Sequence, residues 1–299
     1  MQKIILFYKF TPISDPKAIQ LWQKLLCDSL NLKGRILINE QGINGTLGGE
    51  LEDVKAYIKA TRGYEGFRKT VFKWSDGSRD DFPKMQVRVR KELVGFRNTT
   101  DEFQVDETGV IGGGVHLSPE KVNEMVEQYG DDVVFFDGRN EPEAAVGKFK
   151  GAIVPNTETS RDFERELESG KYDHMKGKKI ITYCTGGVRC ELISVMMKNR
   201  GFDDVYQIDG GIVKYGEKYG DSGLWEGALR VFDKRKVMTF TDEAKTIGKC
   251  MHCGKPTSNF ENCQDVSCNQ LMLVCEDCFK DEHKQYHTEA CYLHDHVKA

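Results

Sequence analysis

The sequence predicts an α/β protein in three parts: an N-terminal α+β domain, a central domain built on a parallel sheet, and a small cysteine-rich tail. Three observations carry this prediction. Residues 1–96 hold short apolar runs and amphipathic stretches in the order β-α-β-β-α-β, with a further strand after them. From Ser118 onward strands and helices alternate, which implies a parallel sheet covered on both faces. Of the 10 cysteines, seven lie at or beyond Cys250, where apolar periodicity fades. A chain of 299 residues is also too long for one average domain and suits two or three.

In the first part, residues 4–10 read as a strand. Residues 16–30 read as a helix with Ile19, Leu21, Trp22, Leu25 and Leu26 at helical spacing, capped by Ser14 or Asp15. Residues 34–39 form a strand, and Gly42-Ile43-Asn44-Gly45 is expected to turn the chain into Thr46-Leu47-Gly48. A helix over 52–61 and strands over 71–74 and 85–90 follow. This order is that of a ferredoxin-like (acylphosphatase-like) split β-α-β unit spanning 1–96.

Residues 97–117 are expected to be a connector, polar and broken by Gly112-Gly113-Gly114. The central domain is placed at 118–240. Ser118-Pro119 is a cap followed by a proline at the first helical position. Strands are expected at 133–137, 152–155, 179–184 and 205–208, and helices at 159–168 and 188–200. The tail is placed at 245–299 and cannot build a core without a staple.

Hydrophobic residues make up 39% and charged residues 30%, as in an ordinary globular protein. The 43 Lys and Arg against 47 Asp and Glu leave a net charge of −4, so global charge gives no argument for nucleic acid. A local basic face is still available. Arg88 and Arg90 alternate with apolar residues on one strand, Lys91 follows, and Arg62, Arg68 and Lys69 are candidates to extend it. The apolar start is too short for a secretory leader and no later run reaches the roughly 18 residues of a membrane helix. A cytoplasmic location without a membrane partner is expected. Oligomeric state is left open.

The chemistry centres on Cys184-Thr185-Gly186-Gly187-Val188-Arg189. The apolar strand before it delivers Cys184 to the carboxyl edge of a parallel sheet, where such folds place ligands. The helix from Val188 aims free N–H groups back at the sulfur, and Gly186 and Gly187 let the backbone curl into an anion nest. Arg189 adds a permanent cation. Together these lower the cysteine pKa, and the thiolate is the nucleophile. Asp137 and Arg139, at another strand end, either tune this site or form a structural ion pair. Cys190 is either a redox partner or a packed thiol, and Cys27 belongs to the first helix's core face.

In the tail, Cys250-x2-Cys253 and Cys275-x2-Cys278 flank Cys263-x4-Cys268, with His283, His287 and Cys291 after them. Paired C-x2-C turns about twenty residues apart are a zinc pattern. The expected ligands are Cys250, Cys253, Cys263, Cys268, Cys275, Cys278, His287 and Cys291, holding one or two structural zinc ions. Which of His283, His287 and Cys291 complete a second site is open at this level. No flavin, haem or nicotinamide signature is present.

The loop resembles that of the rhodanese superfamily, and Asp137-Gly138-Arg139-Asn140-Glu141, residues 147–153 and Tyr206-Gln207-Ile208-Asp209-Gly210-Gly211 resemble other landmarks of that domain. Its span from Cys184 to Arg189 matches sulfur-handling members, whereas phosphatase relatives carry one residue more. Over nearly the full length the chain resembles the bacterial rhodanese-related tRNA uridine hydroxylases. The residues that carry this are Gly34-Arg35-Ile36, Glu40-Gln41-Gly42-Ile43-Asn44-Gly45, residues 82–92, Trp225-Glu226-Gly227, Val231-Phe232-Asp233 and the tail. Pro142 departs from the family, which usually has an aromatic residue before the glutamate. The resemblance implies hydroxylation at C5 of the wobble uridine, with tRNA and molecular oxygen as substrates and Cys184 essential. Two rivals remain: a sulfurtransferase passing a Cys184 persulfide from a sulfur donor to a small acceptor or tRNA, and a non-catalytic RNA- or protein-binding scaffold.

Overall fold

The computed structural model describes residues 1–96 and 103–297, so the first six positions after Phe96 in the expected connector lie outside the described residues. In the N-terminal part, β1 (Gln2–Phe10), α1 (Pro16–Ser29), β2 (Lys33–Asn39), β3 (Gly42–Glu50), α2 (Leu51–Gly63), β4 (Val71–Asp76) and β5 (Met85–Val89) succeed one another. The sheet order is β4-β1-β3-β2-β5, with β5 parallel to β2 and the other pairs antiparallel. Its first four strands have the ferredoxin-like arrangement. Asp15 starts α1, its carboxylate accepting from the amides of Lys17 and Ala18 at 3.0 Å each.

Strand period two divides this sheet. Ile5, Phe7, Ile36, Ile38, Ile43, Leu47, Phe72 and Val87 face the two helices and form one core with Val54 and Tyr57. The alternate residues, among them Tyr8, Arg35, Lys73 and Gln86, face the central domain. Near Phe10 and the segment 93–96 the two parts share a core with Phe136, Phe163 and Met196.

The expected turn at 42–45 is corrected: these residues are the first half of β3, and the hairpin turn is Glu40-Gln41 between paired Asn39 and Gly42. The glycines there serve close packing. A Cβ on Gly45 would sit 2.6 Å from the Phe7 ring, and one on Gly42 2.1 Å from the Lys9 carbonyl oxygen. Asn39 makes the turn, its side-chain oxygen accepting from the Gln41 amide.

The central part continues with β6 (Val115–Leu117), α3 (Pro119–Tyr129), β7 (Val133–Asp137), α4 (Glu141–Ala144), β8 (Gly147–Phe149), α5 (Phe163–Glu168), β9 (Lys179–Tyr183), α6 (Val188–Asn199), β10 (Val205–Ile208) and α7 (Gly211–Tyr219). A parallel sheet runs β6-β10-β9-β7. α5 and α6 cover one face with Ile180 and Phe136, while α3 and α7 cover the other with Ile181 and Phe135. Residues 115–117, read as the end of the connector, form its edge strand. The strand expected at 152–155 reduces to one bridge between Ile153 and Phe136, because the chain leaves the sheet after a single pair.

Beyond α7, β11 (Trp225–Gly227) pairs with β8, and β12 (Leu229–Arg230) with β13 (Val237–Met238). The tail holds the hairpin β14 (Phe260–Asn262) and β15 (Leu271–Leu273), then α8 (Glu276–Phe279) and α9 (Glu289–Val297). Its two buried clusters join cysteines to a few apolar residues: Cys250, Cys275 and Cys278 with Val274 in one, and Cys263 with Met272 and Tyr286 in the other. Among the described residues no helix is long and apolar enough to cross a membrane.

Candidate active site

β9 ends at Tyr183, and Cys184 follows at the carboxyl edge of the sheet, almost fully buried. Gly187, at φ +99°, turns the chain into α6, and its amide donates to Cys184 Sγ at 3.2 Å. The start of α7 braces the loop from behind: the amides of Ile212 and Val213 donate to the carbonyls of Cys184 and Thr185. Gly211 permits this approach, since a Cβ there would lie 2.4 Å from the Cys184 carbonyl oxygen. Burial pushes the Cys184 thiol up. The hydrogen bond from Cys190, the charge of Arg189 and the amides of Arg189 and Cys190 outweigh it and hold the thiol well below its ordinary range. Cys190 shifts the opposite way, upward through burial and its bond to Cys184, and so stays a protonated donor.

Arg189 does not reach out of the loop. Its guanidinium is clamped by both carboxylate oxygens of Glu143, at 2.7 and 2.8 Å, and contacts Thr185 Oγ1 at 3.4 Å. Glu143 sits in α4 and is a residue that sequence reasoning missed. Burial raises its carboxyl, but Arg189 and then Arg139 hold it below the usual carboxylate range. Pro142 fits without disturbance because it occupies the start of α4, where no amide donor is required.

Asp137 and Arg139 form a fully buried pair, Nε to Oδ1 at 2.9 Å and Nη2 to Oδ2 at 2.6 Å. Arg139 also donates to the carbonyls of Glu143 and Gly147, Tyr183 Oη donates to Asp137, and the guanidinium lies 5.2 Å from the Trp225 ring. Every contact belongs to the central domain's own framework, which joins β7, β8, β9 and β11.

A cavity of about 490 Å³ opens over Cys184, Thr185, Gly186, Val188 and Arg189, and its far wall is the N-terminal sheet. That volume suits a small-molecule or nucleoside ligand. Tyr8 bridges the two walls, its hydroxyl donating to Glu191 at 2.8 Å. Arg35 lines the cavity, and its guanidinium is held below the usual arginine range by burial and then by Arg88 and Arg90. Arg88 is exposed on β5 beside Leu37, so Arg35, Arg88 and Arg90 make a basic strip leading from the cavity. Lys91 is exposed just past the strand. Arg62 does not join this face: it packs against Phe72 on the helical side, where its guanidinium binds the Thr70 carbonyl. Lys69 lines a second, smaller cavity beside Tyr8.

In the tail, the Sγ atoms of Cys250, Cys253, Cys275 and Cys278 all lie within 4.8 Å of one another, Cys253 and Cys275 at 3.6 Å. Four thiolates about 2.3 Å from a tetrahedral ion would be separated by about 3.8 Å, so the donor set fits a metal. Cys263, Cys268 and Cys291 converge in the same way. His287 Nδ1 is 4.0 Å from Cys268 Sγ, whereas His283 stacks on Tyr292 and faces Glu289.

These features recur in known proteins. Residues 2–93 match the family described as the UPF0176 acylphosphatase-like domain, residues 118–218 the rhodanese-like domain, and residues 226–292 the rhodanese C-terminal family. A protein of Corynebacterium glutamicum (strain R) named tRNA uridine(34) hydroxylase is 61% identical over 278 residues, covering 93% of this chain and 89% of its own. Proteins of the same name from Corynebacterium kroppenstedtii and Rhodococcus erythropolis are 56% and 57% identical, covering 96% and 93% of this chain and 96% and 97% of their own. An acylphosphatase-like sheet, a rhodanese-like domain and a cysteine tail in the same order, at this identity over nearly the whole length, place the chain in the tRNA uridine(34) hydroxylase family.

Proposed function

We propose that this chain hydroxylates uridine 34 of tRNA at the base, with Cys184 as the reacting group and molecular oxygen as co-substrate. The observation that carries this reading is the position of Cys184: a thiol favoured as thiolate, at the floor of a nucleoside-sized cavity whose outer wall bears a basic strip. In this reading the anticodon loop lies along Arg35, Arg88, Arg90 and Lys91 through phosphate contacts, and the unstacked uridine enters the cavity. Thr185, Gly186, Gly187 and Val188 shape the nest. Arg189, fixed by Glu143, stabilises the thiolate without leaving its place. Asp137 and Arg139 act as a lock between strands and not as groups that meet substrate.

The tail is proposed to hold zinc, one ion on Cys250, Cys253, Cys275 and Cys278 and a second on Cys263, Cys268, Cys291 and His287. Bound there, zinc would supply the fold with a staple that its few apolar residues do not provide.

Nucleoside mass spectrometry of tRNA tests the reading, in cells carrying the wild-type protein, none, or Cys184→Ser. Loss of 5-hydroxyuridine-derived nucleosides in both deficient strains is expected. Their persistence, with loss of a thiolated nucleoside instead, would identify a sulfurtransferase. Full modification by Cys184→Ser would leave only a scaffold.

A further inference from the structure

Lys73 stands in the middle of β4, on the sheet face turned toward the active loop, and is only 5% exposed. Its ammonium donates to the Gly186 carbonyl at 2.7 Å and lies 4.4 Å from the centre of the Tyr8 ring. Among the described residues no carboxylate pairs with it. A buried ammonium without a counter-charge is costly, so the surroundings must offset it. The charged and titratable groups that act on it are Cys184 in the loop, Asp209 before α7, Glu191 on α6, and Lys214 and Glu217 on α7. Asp209 is already paired with Lys214, and Glu191 is taken up by Tyr8, Gln207 and His116. Glu217 is exposed on α7, and Cys184 is the largest source of negative charge acting on Lys73.

The peptide joining Gly186 to Gly187 connects the two groups. In a planar trans peptide the C=O and the following N–H point in opposite directions. Here the carbonyl accepts from Lys73, and the N–H on the far side donates to Cys184 Sγ at 3.2 Å. Lys73 therefore fixes the plane that aims this amide at the sulfur, and polarises the same hydrogen bond. Burial, opposed by Cys184, Asp209 and Glu191, pushes the lysine itself down to about 8.

We propose that Lys73 is a positioning residue for Cys184: the N-terminal domain reaches across the cavity and, through the Gly186–Gly187 peptide, sets the orientation and charge environment of the central domain's cysteine. This rests on the reading that Cys184 reacts as its thiolate, and it makes the N-terminal domain part of the catalytic apparatus as well as a surface for RNA.

The test is the pH dependence of Cys184 alkylation by iodoacetamide, followed on the Cys184 peptide by mass spectrometry in the full-length protein. Lys73→Met is expected to raise the midpoint by about one pH unit, and so to slow alkylation about tenfold below it. Lys73→Arg should restore most of the shift. Should Lys73→Met not fold, Lys73→Gln keeps a donor without the charge and is expected to raise the midpoint by a smaller amount. A wild-type midpoint well below that of a free thiol, unmoved by Lys73→Met or Lys73→Gln, would overturn the proposal. A wild-type midpoint near that of a free thiol would instead overturn the thiolate premise on which both readings stand.

Discussion

Cysteine has two opposite relations to its surroundings in this molecule. In the central domain, Cys184 and Cys190 are buried, while the core cluster of that face is built from other residues, Ile193, Met196 and Phe136 among them. Backbone amides, Arg189 and the peptide held by Lys73 set the protonation of Cys184. In the tail the cysteines are themselves core residues, Cys250, Cys275 and Cys278 beside Val274, and Cys263 beside Met272 and Tyr286. The residue type is the same, but in one region the surroundings hold the thiol below its ordinary range and in the other the sulfurs converge on one another as a metal-ligand set. Spacing in sequence distinguishes them, since one cysteine precedes a glycine pair and a helix while the others come as C-x2-C turns.

The largest effect that would sharpen this contrast is loss of the tail alone. A strong zinc chelator, or Cys275→Ser, is expected to expose residues 250–297 to limited proteolysis, because structural zinc typically contributes about 10–16 kcal/mol to such modules. The Cys184 peptide should alkylate at an unchanged rate. An intact, protease-resistant tail in the metal-free protein would show that its cysteines are not the staple.

Next comes the clamp in the central domain. Glu143→Ala leaves the Arg189 guanidinium buried without its carboxylate, at an expected cost of about 3–5 kcal/mol in chemical denaturation. An effect below about 1 kcal/mol would mean that Arg189 finds water or another partner. The same pair predicts the acid limb of stability. The folded-state carboxyl of Glu143 lies below its unfolded value, as does that of Glu191, where burial is outweighed by His116, Gln207 and Tyr8. Their contribution is therefore complete above the unfolded value of about 4.3 and is lost as pH falls through the lower folded values. Cys184→Ser removes the thiolate, whose own stabilisation is lost on acidification toward about pH 5, and in that variant the urea midpoint should drop below about pH 4. A midpoint that rises below about pH 4 would contradict the assignment.

A smaller effect is expected on the basic strip. Replacing both Arg88 and Arg90 by Ala should weaken tRNA binding and reduce the slope of log affinity against log salt by about 1.4, the release expected from two phosphate contacts on single-stranded RNA. Unchanged slope and affinity would remove this face from the RNA path, while leaving both cysteine environments as described.

The order of strands and helices was legible because it rests on local signals: Asp15 before Pro16, alternation along residues 85–90, and Ser118 before Pro119. The turn at 42–45 was misread for the same reason. Glycines that turn a chain and glycines that let Phe7 pack against a strand look alike in a short window. The loop from Cys184 to Arg189 was legible because its chemistry is contiguous. Glu143 was not, lying 46 residues from Arg189, and neither was Lys73, lying 113 residues from Gly186. Their meaning exists only once β4 and α4 are folded against the loop. That His287 stands near Cys268 while His283 stacks on Tyr292 was likewise a matter of tertiary placement.

The claim on which the account turns is that the fold, and not the cysteine itself, makes Cys184 reactive. The pH profile of its alkylation in the wild-type protein measures this directly. The expected rate is already level at neutral pH and falls only on acidification, because burial's upward push is outweighed by Cys190, Arg189 and the loop amides. A rate that keeps climbing through about pH 8.5, as for a free thiol, would contradict it.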